Sequence, residues 1–152
     1  MEQTEIKVKL IKHEGVESKM PKKATSGSAG FDLCAALSEP LTLEPGALVK
    51  VPTGIAIALP GPETAALIYA RSGLAVKHGI TLSNCVGVID SDYRGEIIVG
   101  LCNISREPYT ITPGERIAQL VVTPVAPAKL VEADNLEETA RAQGGFGSTG
   151  KF

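Results

Sequence analysis

The decisive stretch of the sequence reads VKVPTGIAIAL, from Val49 to Leu59. Large apolar residues occupy every second position on both sides of a Pro-Thr-Gly turn at 52–54. Successive side chains of a β-strand point to opposite faces, so this period of two predicts two strands joined by a turn.

Short alternating runs of the same kind recur along most of the chain. They cover 6–10, 97–101, 109–111 and 117–125, and Pro-Gly or Asn/Asp turn signals separate them. Helix is nearly absent, although the segment from Ser72 to Lys77 suits one short turn with Ser72 as its N-cap. We therefore expect an all-β fold of the sandwich, jelly-roll or barrel type.

The 152 residues suffice for one domain with one buried core. Apolar density falls from about Ala126 onward, which predicts a β domain over 1–125 and a C-terminal arm over 126–152. With three Tyr, three Phe and no Trp, the core is thin for a β domain of this size. Association through apolar faces would supplement such a core, so the composition favours an obligate oligomer.

Charge and composition narrow the classes of partner. A net charge of −2 gives no whole-surface attraction for nucleic acid. No stretch approaches the roughly 18 apolar residues that a membrane span needs. The charged N-terminus has no apolar signal segment, so we expect a cytoplasmic protein that binds neither nucleic acid nor membrane.

The thiols and imidazoles do not form a metal-binding pattern. Cys34, Cys85 and Cys102 are an odd number of widely spaced cysteines, which is typical of reduced, half-buried positions. His13 and His78 are too few and too far apart in sequence to suggest a cluster. We expect no metal bound directly by protein side chains.

The last nine residues, GGFGSTGKF from Gly144 to Phe152, contain two phosphate-binding signatures. They fit G-x-G-x-x-G and G-x-x-x-x-G-K, but the strand, helix and following Ser or Thr that these sites require are missing. A flexible tail of small residues is the plain alternative. Yet Arg141 and Phe146, one cation and one ring, bracket the glycines, so neither motif explains the tail.

Four further polar and glycine-rich segments interrupt the strands. They are SGSAGFDL at 26–33, ARSGLAVKHGI at 70–80, NCVGVIDSDYRGEI at 84–97 and PGERIAQL at 113–120. With the tail, they resemble the five ordered motifs of the homotrimeric dUTPases. The resemblance implies a jelly-roll-like distorted β-barrel of the β-clip type with a flexible arm. It also implies hydrolysis of dUTP to dUMP and pyrophosphate, with Mg²⁺ held by substrate phosphates and waters, at sites shared between three subunits.

Arg71 and Ser72 form a predicted anion site. A cation beside a serine at a helix start lies near free backbone N–H groups, which attract anions, although an exposed Arg next to an ordinary cap has the same sequence. The resemblance assigns Arg71, Ser72 and Gly73 to the substrate phosphates, with Gln119 as an uncharged donor. Arg116, three residues before Gln119, would face the other side of a strand, so we expect it to be structural.

The segment from Asn84 to Tyr93 is typical of a β-hairpin, or simply of a turn in a β protein. By resemblance it binds uracil and deoxyribose through Asn84, Gly87, Val88, Ile89 and Tyr93. Tyr93 would lie under the sugar and leave no room for a 2′-hydroxyl. Cytosine would be rejected because its hydrogen-bonding groups would be mismatched.

Asp90 is the predicted catalytic base. Cleavage at the α-phosphate needs a water in line with the leaving pyrophosphate, and a carboxylate positions that water and accepts its proton. A surface turn of mixed charge is the alternative, since Asp92 and Arg94 are close by, and we expect Asp92 to pair with a cation such as Arg116. Asp32 either supports a metal-bound or ordered water, as the resemblance implies, or caps a turn.

The resemblance also assigns the tail a role, as a lid that orders over bound substrate. Phe146 would stack on uracil, and Arg141 would reach the γ-phosphate. Backbone N–H groups from Gly147 onward, with the hydroxyls of Ser148 and Thr149, would bind phosphate oxygens, because glycine permits their close approach.

Two other functions match parts of the pattern. A dCTP deaminase of the same fold needs a carboxylate in the strand after the hairpin, but IIVGL at 97–101 holds no acid. A catalytically silent trimer that binds dUTP or a protein partner has no need of Asp90, Arg71 and the complete tail together. We therefore expect an active dUTP diphosphatase, with a regulatory trimer as the alternative.

Overall fold

The computed structural model describes residues 4–140 and 142–145. Eleven strands and one helix occur in these residues. In chain order they are β1 (Lys7–Leu10), β2 (Phe31–Cys34), β3 (Leu41–Leu43), β4 (Leu48–Pro52), β5 (Ile55–Ala58), β6 (Thr64–Ala70), α1 (Ser72–His78), β7 (Ile80–Leu82), β8 (Gly87–Ile89), β9 (Ile98–Asn103), β10 (Tyr109–Ile111) and β11 (Arg116–Pro124).

The strands pair into four antiparallel sheets. The largest has the order β2-β11-β6-β8, and the next has the order β4-β9-β7. Two further pairs, β1 with β5 and β10 with β3, form separate two-stranded sheets. The predicted all-β class with one short helix is confirmed, whereas none of these sheets closes into a barrel within the described part of the chain.

β4 and β5 come from the stretch at 49–59, where two strands are predicted and two are present. They are not partners, because β4 pairs with β9 and β5 pairs with β1. Gly54 makes the corner between them, and its φ of 69° lies in the left-handed region that favours glycine. A period of two predicts a strand but does not identify its neighbour.

One core cluster joins residues from all four sheets. Leu33, Leu43, Val51, Leu101 and Ile111, from five different strands, are at most 1% exposed. Truncating a side chain of this kind to Ala typically costs about 2–5 kcal/mol of stability. This core fixes the strand ends and loops on which the predicted site residues lie.

Helix α1 begins one residue earlier than predicted. Arg71 is the N-cap, with an extended backbone at φ −89° and ψ 128°, and Ser72 is the first helical residue. The predicted capping role of Ser72 is wrong, because no side chain caps this helix. Gly79 ends it at φ 67°. At seven residues α1 cannot cross a bilayer, and the described residues hold no helix that could.

The segment from 84 to 93 is not a hairpin. β7 pairs with β9, whereas β8 pairs with β6 in a different sheet. A turn at 83–86 therefore carries the chain from one sheet to another, with Cys85 at a φ of 62°. The predicted β-hairpin is wrong because the strands that flank this turn have other partners.

The chain leaves the sheets after β11. The Val125 N–H donates to Glu63 O at 2.8 Å, next to the end of the strand at Pro124. Residues 126–140 form no helix or strand, and they are exposed. This change supports the predicted division between a domain and an arm at 125, which we retain as a proposal.

Candidate active site

Three strands bring predicted phosphate-binding residues together in a region that we call the Arg71 corner. It consists of Asp32, Arg71, Ser72, Arg116 and Gln119. On β11, Gln119 lies opposite Asp32 of β2 and opposite Tyr69 of β6. Arg71 directly follows Ala70, the last residue of β6. The register of three neighbouring strands therefore builds this corner from residues far apart in sequence.

Asp32 holds two guanidinium groups in the Arg71 corner. Its Oδ1 accepts a hydrogen bond from Arg71 Nε and its Oδ2 accepts one from Arg116 Nη1, each at 3.0 Å. Arg71 Nη1 also donates to the main-chain oxygen of Arg116 at 3.2 Å. The Asp32 side chain is only 17% exposed. One carboxylate against two cations leaves a net positive charge, which favours an anionic ligand.

Arg116 lies on the same side of β11 as Gln119, and the prediction that it faces the other side is wrong. A bulge between Arg116 and Ala118 shifts the register against β2. Ile117 and Ala118 are consequently both buried, at 1% and 0% exposed. An extra residue in a strand reverses the alternation on either side of it. Arg116 thus reaches Asp32, the register partner of Gln119.

A pocket of about 280 Å³ opens at the Arg71 corner. Its walls are Ala24, Ser28, Ala29, Gly30, Asp32, Arg71, Ser72, Gly73 and Gln119. Sequence reasoning missed the wall that Ser28 and Gly30 form, for which the run of small residues in SGSAG was the available signal. A Cβ on Gly30 would lie 3.1 Å from Gln119 Oε1 and 3.2 Å from Leu120 O, so glycine keeps this pocket open.

Several donors remain for a ligand in this pocket. Gln119 Nε2 donates to Ala70 O at 3.0 Å, which fixes the amide and leaves its second N–H free to donate. The guanidinium of Arg71 carries five N–H groups, of which Asp32 and the Arg116 carbonyl engage two. The first N–H groups of α1 have no helical acceptor. The pocket therefore combines positive charge with oriented N–H donors.

The predicted uracil-binding and catalytic residues lie on β8 and on the loop that follows it. Gly87–Ile89 form β8, and Asp90 comes next with its side chain exposed. Within the described residues, neither Asp90 nor Asp92 takes part in an ion pair. The predicted pair between Asp92 and Arg116 is wrong, because Arg116 binds Asp32 instead.

Tyr93 folds back on this loop. Its N–H donates to Asp90 O at 3.2 Å and its hydroxyl donates to Glu96 O at 2.9 Å. Gly95 leaves room for the ring, since a Cβ there would lie 2.4 Å from the Tyr93 hydroxyl oxygen. Tyr93 as a whole is 43% exposed. It therefore presents an open aromatic surface beside Asp90.

The length of β6 separates Asp90 from the Arg71 corner. β8 runs antiparallel to β6 with Ile89 opposite Ala66, whereas Arg71 follows the other end of β6. From Ala66 to Arg71, five residues at about 3.3 Å each give a distance of about 16 Å. Asp90 and the Arg71 corner therefore lie towards opposite ends of β6, and Gly87, opposite Ile68, lies between them.

The described residues hold no cluster of metal-ligating side chains, and the three thiols differ in exposure. Within 4–140 and 142–145, no three His, Cys, Asp or Glu side chains lie close enough to hold a metal ion. Cys34 and Cys102 are half-buried as predicted, but Cys85 is exposed in the turn before β8. Burial raises the pKa of the Cys34 thiol, against the opposing charge of Lys19.

The predicted lid residues are Arg141, Phe146, Gly147, Ser148 and Thr149. All five lie outside the described residues. Their contacts with substrate stay predictions that rest on the resemblance of the tail.

The sequence matches one family over most of its length. The dUTPase family model matches residues 16–150. The chain is 50% identical over 150 residues to the deoxyuridine 5′-triphosphate nucleotidohydrolase of Desulfitobacterium hafniense (strain Y51), with 99% of each chain covered. It is 51% identical over 141 residues to the enzyme of the same name from Hahella chejuensis (strain KCTC 2396), with 93% of each covered.

Solved structures are similar in fold. The dUTPase of Staphylococcus bacteriophage 80alpha with dUPNHPP has a TM-score of 0.85 at 26% identity, over 97% of this chain and 99% of that one. A mutant dUTPase from phage phi11 of S. aureus, whose structure describes the coordination of a structural Mg(II) ion, has a TM-score of 0.76 at 23% identity. It covers 88% of this chain and 99% of its own. From the family match and the identities of about half, the chain belongs to the dUTPase family.

Proposed function

We propose that this chain hydrolyses dUTP to dUMP and pyrophosphate, as a dUTP diphosphatase. Membership of the dUTPase family supports this, as do relatives named for the activity at 50% and 51% identity. A phage relative of known structure holds the nucleotide dUPNHPP. The reaction would limit uracil in DNA and supply dUMP for thymidylate synthesis, in the cytoplasm where nucleotides are made.

The distance along β6 between Asp90 and the Arg71 corner supports an active site that is built from more than one subunit. A water held by Asp90 has to attack an α-phosphate whose oxygens are bound at the Arg71 corner. Within one chain these positions are about 16 Å apart, at about 3.3 Å per strand residue, so they cannot serve the same phosphate. We infer that a second copy supplies one of them, and that the chain forms a homotrimer with active sites shared between its subunits, as its resemblance to the homotrimeric dUTPases implies.

The outward face of the β4-β9-β7 sheet is a candidate surface for this association. Leu48 of β4 and Ile98 of β9 are 72% and 53% exposed, although the opposite face of both strands is buried. Register pairs Ile98 with Pro52 on that outward face. Apolar residues thus lie at both ends of this face, with Lys50 between them, and exposed apolar surface of this kind is typical of a protein contact. Covering them would add apolar burial to a domain with few aromatic residues.

Asp90 is the proposed general base. Its side chain is exposed and takes part in no ion pair among the described residues, so it is available to bind a water. It would hold that water in line with the bond between the α-phosphorus and the bridging oxygen. As the new P–O bond forms, Asp90 accepts a proton from the water and pyrophosphate leaves with the electron pair of the broken bond.

The Arg71 corner is the proposed phosphate site. Arg71, Ser72, Gly73 and Gln119 would donate hydrogen bonds to phosphate oxygens, while Asp32 orients the Arg71 guanidinium. Charge-assisted bonds from Arg are the strongest of these. Because Asp32 is already paired with Arg71 at 3.0 Å, the guanidinium is oriented before substrate arrives.

The same corner fits Mg²⁺ held through water. Each Asp32 oxygen accepts one guanidinium N–H and retains a lone pair that can accept a bond from a metal-bound water. Mg²⁺ keeps several waters and takes its other ligands from substrate phosphates, so the absence of an acidic cluster among the described residues is compatible with it. When bound, the ion would neutralise phosphate charge. We propose that Asp32 holds one of its waters.

The proposed uracil and sugar site lies along β8. Its residues are Asn84, Gly87, Val88, Ile89 and Tyr93. A Cβ on Gly87 would lie 3.1 Å from Ile68 Cβ, so glycine allows β8 to lie close to β6 here. Tyr93 would pack under the deoxyribose and exclude a 2′-hydroxyl. The tail, with Phe146 on uracil and Arg141 on the γ-phosphate, would close the site from a neighbouring subunit.

Substrate identity is tested by measuring pyrophosphate release from dUTP, dCTP, dTTP and UTP side by side. We expect release from dUTP alone. Ammonia from dCTP would instead identify a deaminase, and no product from any of the four would identify a silent binding protein.

Sharing of the site is tested by mixing two inactive variants. Asp90→Asn and Arg71→Ala chains, unfolded and refolded together, should regain about a quarter of the wild-type rate if each site takes the two residues from different subunits of a random homo-oligomer. Each variant refolded alone is the control. A mixture that stays as inactive as its components would reject the shared site.

A further inference from the structure

Glu96 ends the loop that carries Asp90 and Tyr93. Its side chain is 15% exposed. Oε1 accepts the Gly54 N–H at 2.8 Å and lies 2.9 Å from His13 Nε2. A carboxylate at this depth is costly unless it is hydrogen-bonded. Both partners come from outside the loop, so the side chain ties the loop to the body of the domain.

Gly54, which donates to the Glu96 carboxylate, is itself held firmly in the domain. It is buried in the corner between β4 and β5, and its carbonyl accepts the Ile11 N–H at 2.8 Å. A Cβ at Gly54 would lie 2.3 Å from Ser18 Oγ, so the Ser18 side chain packs directly against the Gly54 backbone. Buried N–H groups require an acceptor. For Gly54, that acceptor is the Glu96 carboxylate.

The backbone of Glu96 binds the side chain of Tyr93. Its carbonyl accepts the Tyr93 hydroxyl at 2.9 Å. The next residue, Ile97, is 1% exposed and its N–H donates to Ile55 O at 2.8 Å. Thr53 Oγ1 in turn donates to Ile97 O at 2.6 Å. Residue 96 is therefore fixed by its side chain and by its neighbour, and it presents a fixed carbonyl to the phenol.

We propose that Glu96 is a positioning residue that sets sugar discrimination: its buried carboxylate, held by the Gly54 N–H and His13, fixes the carbonyl that orients the Tyr93 ring. This inference rests on the proposed function, in which that ring lies under the deoxyribose. A ring held at one angle leaves no space for a 2′-hydroxyl. A ring free to rotate about its side-chain bonds admits the ribose, and it also packs less well on the deoxyribose.

The role of Glu96 predicts a change in specificity and not only in stability. Loss of the carboxylate releases Tyr93, which raises KM for dUTP and improves the relative use of UTP. Glu96→Gln keeps an oxygen that accepts the Gly54 N–H, so it should behave much like wild type. Glu96→Ala leaves that N–H without an acceptor. The two substitutions separate the hydrogen bond from the charge.

The experiment measures kcat/KM for dUTP and for UTP in the full chain. We expect Glu96→Ala to lower the dUTP-to-UTP ratio about tenfold, mainly through KM, because a small misplacement of a substrate-contacting group has effects of this order or larger. We expect Glu96→Gln to rescue the ratio to within about threefold. Glu14→Ala, which removes an exposed carboxylate next to His13, is the matched control and should change neither value.

Tyr93→Phe keeps the proposal testable if Glu96→Ala does not fold. It removes the bond to the Glu96 carbonyl and retains the ring, so it should lower the same ratio. An unchanged ratio in folded Glu96→Ala, or in Tyr93→Phe when Glu96→Ala is unfolded, overturns the proposal. Wild-type protein that releases no pyrophosphate from dUTP would instead reject the proposed function itself, so the two failures are distinct.

Discussion

The two ends of β6 differ in how far their polar groups are already engaged. At the C-terminal end, Arg71 is bonded to Asp32 through Nε at 3.0 Å, in a pocket with other oriented donors. At the N-terminal end, Asp90 is exposed and takes part in no ion pair among the residues described. One end is organised before a ligand arrives, and the other presents a free carboxylate.

This difference matches the role that we propose for each end. Binding a polyphosphate benefits from donors that lose little freedom when the ligand arrives. A general base needs an unoccupied oxygen, since a carboxylate already paired with Arg is a weaker proton acceptor. Because about 16 Å of strand separates the two ends, at about 3.3 Å per residue, each end is expected to serve a different active site of the assembly.

Asp90→Asn is expected to have the largest effect. An amide of the same shape cannot accept the proton of the attacking water, so kcat should fall by about 10²–10⁴. The affinity for dUTP should stay within a few-fold, because the Arg71 corner is untouched. Single-turnover hydrolysis and equilibrium binding measure the two quantities. Asp92→Asn, which changes the neighbouring exposed carboxylate, is the control and should retain most of kcat. Near-normal turnover in Asp90→Asn would show that Asp90 is not the base.

Asp32→Ala should affect binding more than chemistry. It frees both guanidinium groups, and losing a hydrogen bond to a charged group costs about 1.5–3 kcal/mol, which corresponds to roughly a tenfold to hundredfold rise in KM. Arg116→Ala is the matched comparison, since it removes the more exposed pair and leaves Arg71 bonded to Asp32. If the two variants raise KM equally, orientation of Arg71 by Asp32 is not what matters.

The sequence predicts the strands of this protein better than their partners. Period-two alternation located β4 and β5, but the corner at Gly54 sends them into different sheets. The same limit explains the missing hairpin before β8. Alternation is a local property, whereas sheet membership depends on contacts between residues far apart in the chain.

The candidate site shows a similar division. The resemblance singled out Asp32, Arg71 and Gln119, and the register of three strands brings them into one pocket. The orientation of Arg116 could not be predicted, because one extra residue at Ile117 reverses the alternation. No local sequence pattern predicts the role of Glu96, because its hydrogen-bond partners, Gly54 and His13, are far away in the sequence.

Gly30→Ala should have a moderate effect on the organised end of β6. The added Cβ would lie 3.2 Å from Leu120 O and 3.1 Å from Gln119 Oε1, so β2 or the amide must shift. Overpacking costs typically about 1–3 kcal/mol, and we expect KM for dUTP to rise roughly fivefold with little change in kcat. Gly27→Ala, where nothing lies within 4 Å, is the control. Equal kinetics for the two variants would show that the close contact at Gly30 does not shape the pocket.

Tyr109→Phe should have the smallest effect, and only at high pH. Tyr109 packs on His78 of the helix that follows Arg71, with ring centroids 4.9 Å apart. Burial, and then its hydrogen bond to Glu115, raise the pKa of Tyr109 to about 12 from an ordinary value of 10.0. The folded state therefore disfavours the phenolate, and this contribution to stability is complete below pH 10 and is lost as the pH rises towards 12.

Phenylalanine cannot ionise, so the variant does not lose stability through ionisation at this position between pH 10 and 12. At neutral pH, Tyr109→Phe should be less stable than wild type by about 0.5–1.5 kcal/mol, the net value of one hydrogen bond. Between pH 10 and 12 the gap should narrow, because the wild type alone loses the contribution of the neutral phenol. Urea midpoints of both proteins across this range measure the gap. If the urea midpoints of the two proteins changed in parallel with pH, the phenol would ionise equally easily in the folded and unfolded chains. The environment of Tyr109 would then contribute nothing to the loss of stability at high pH.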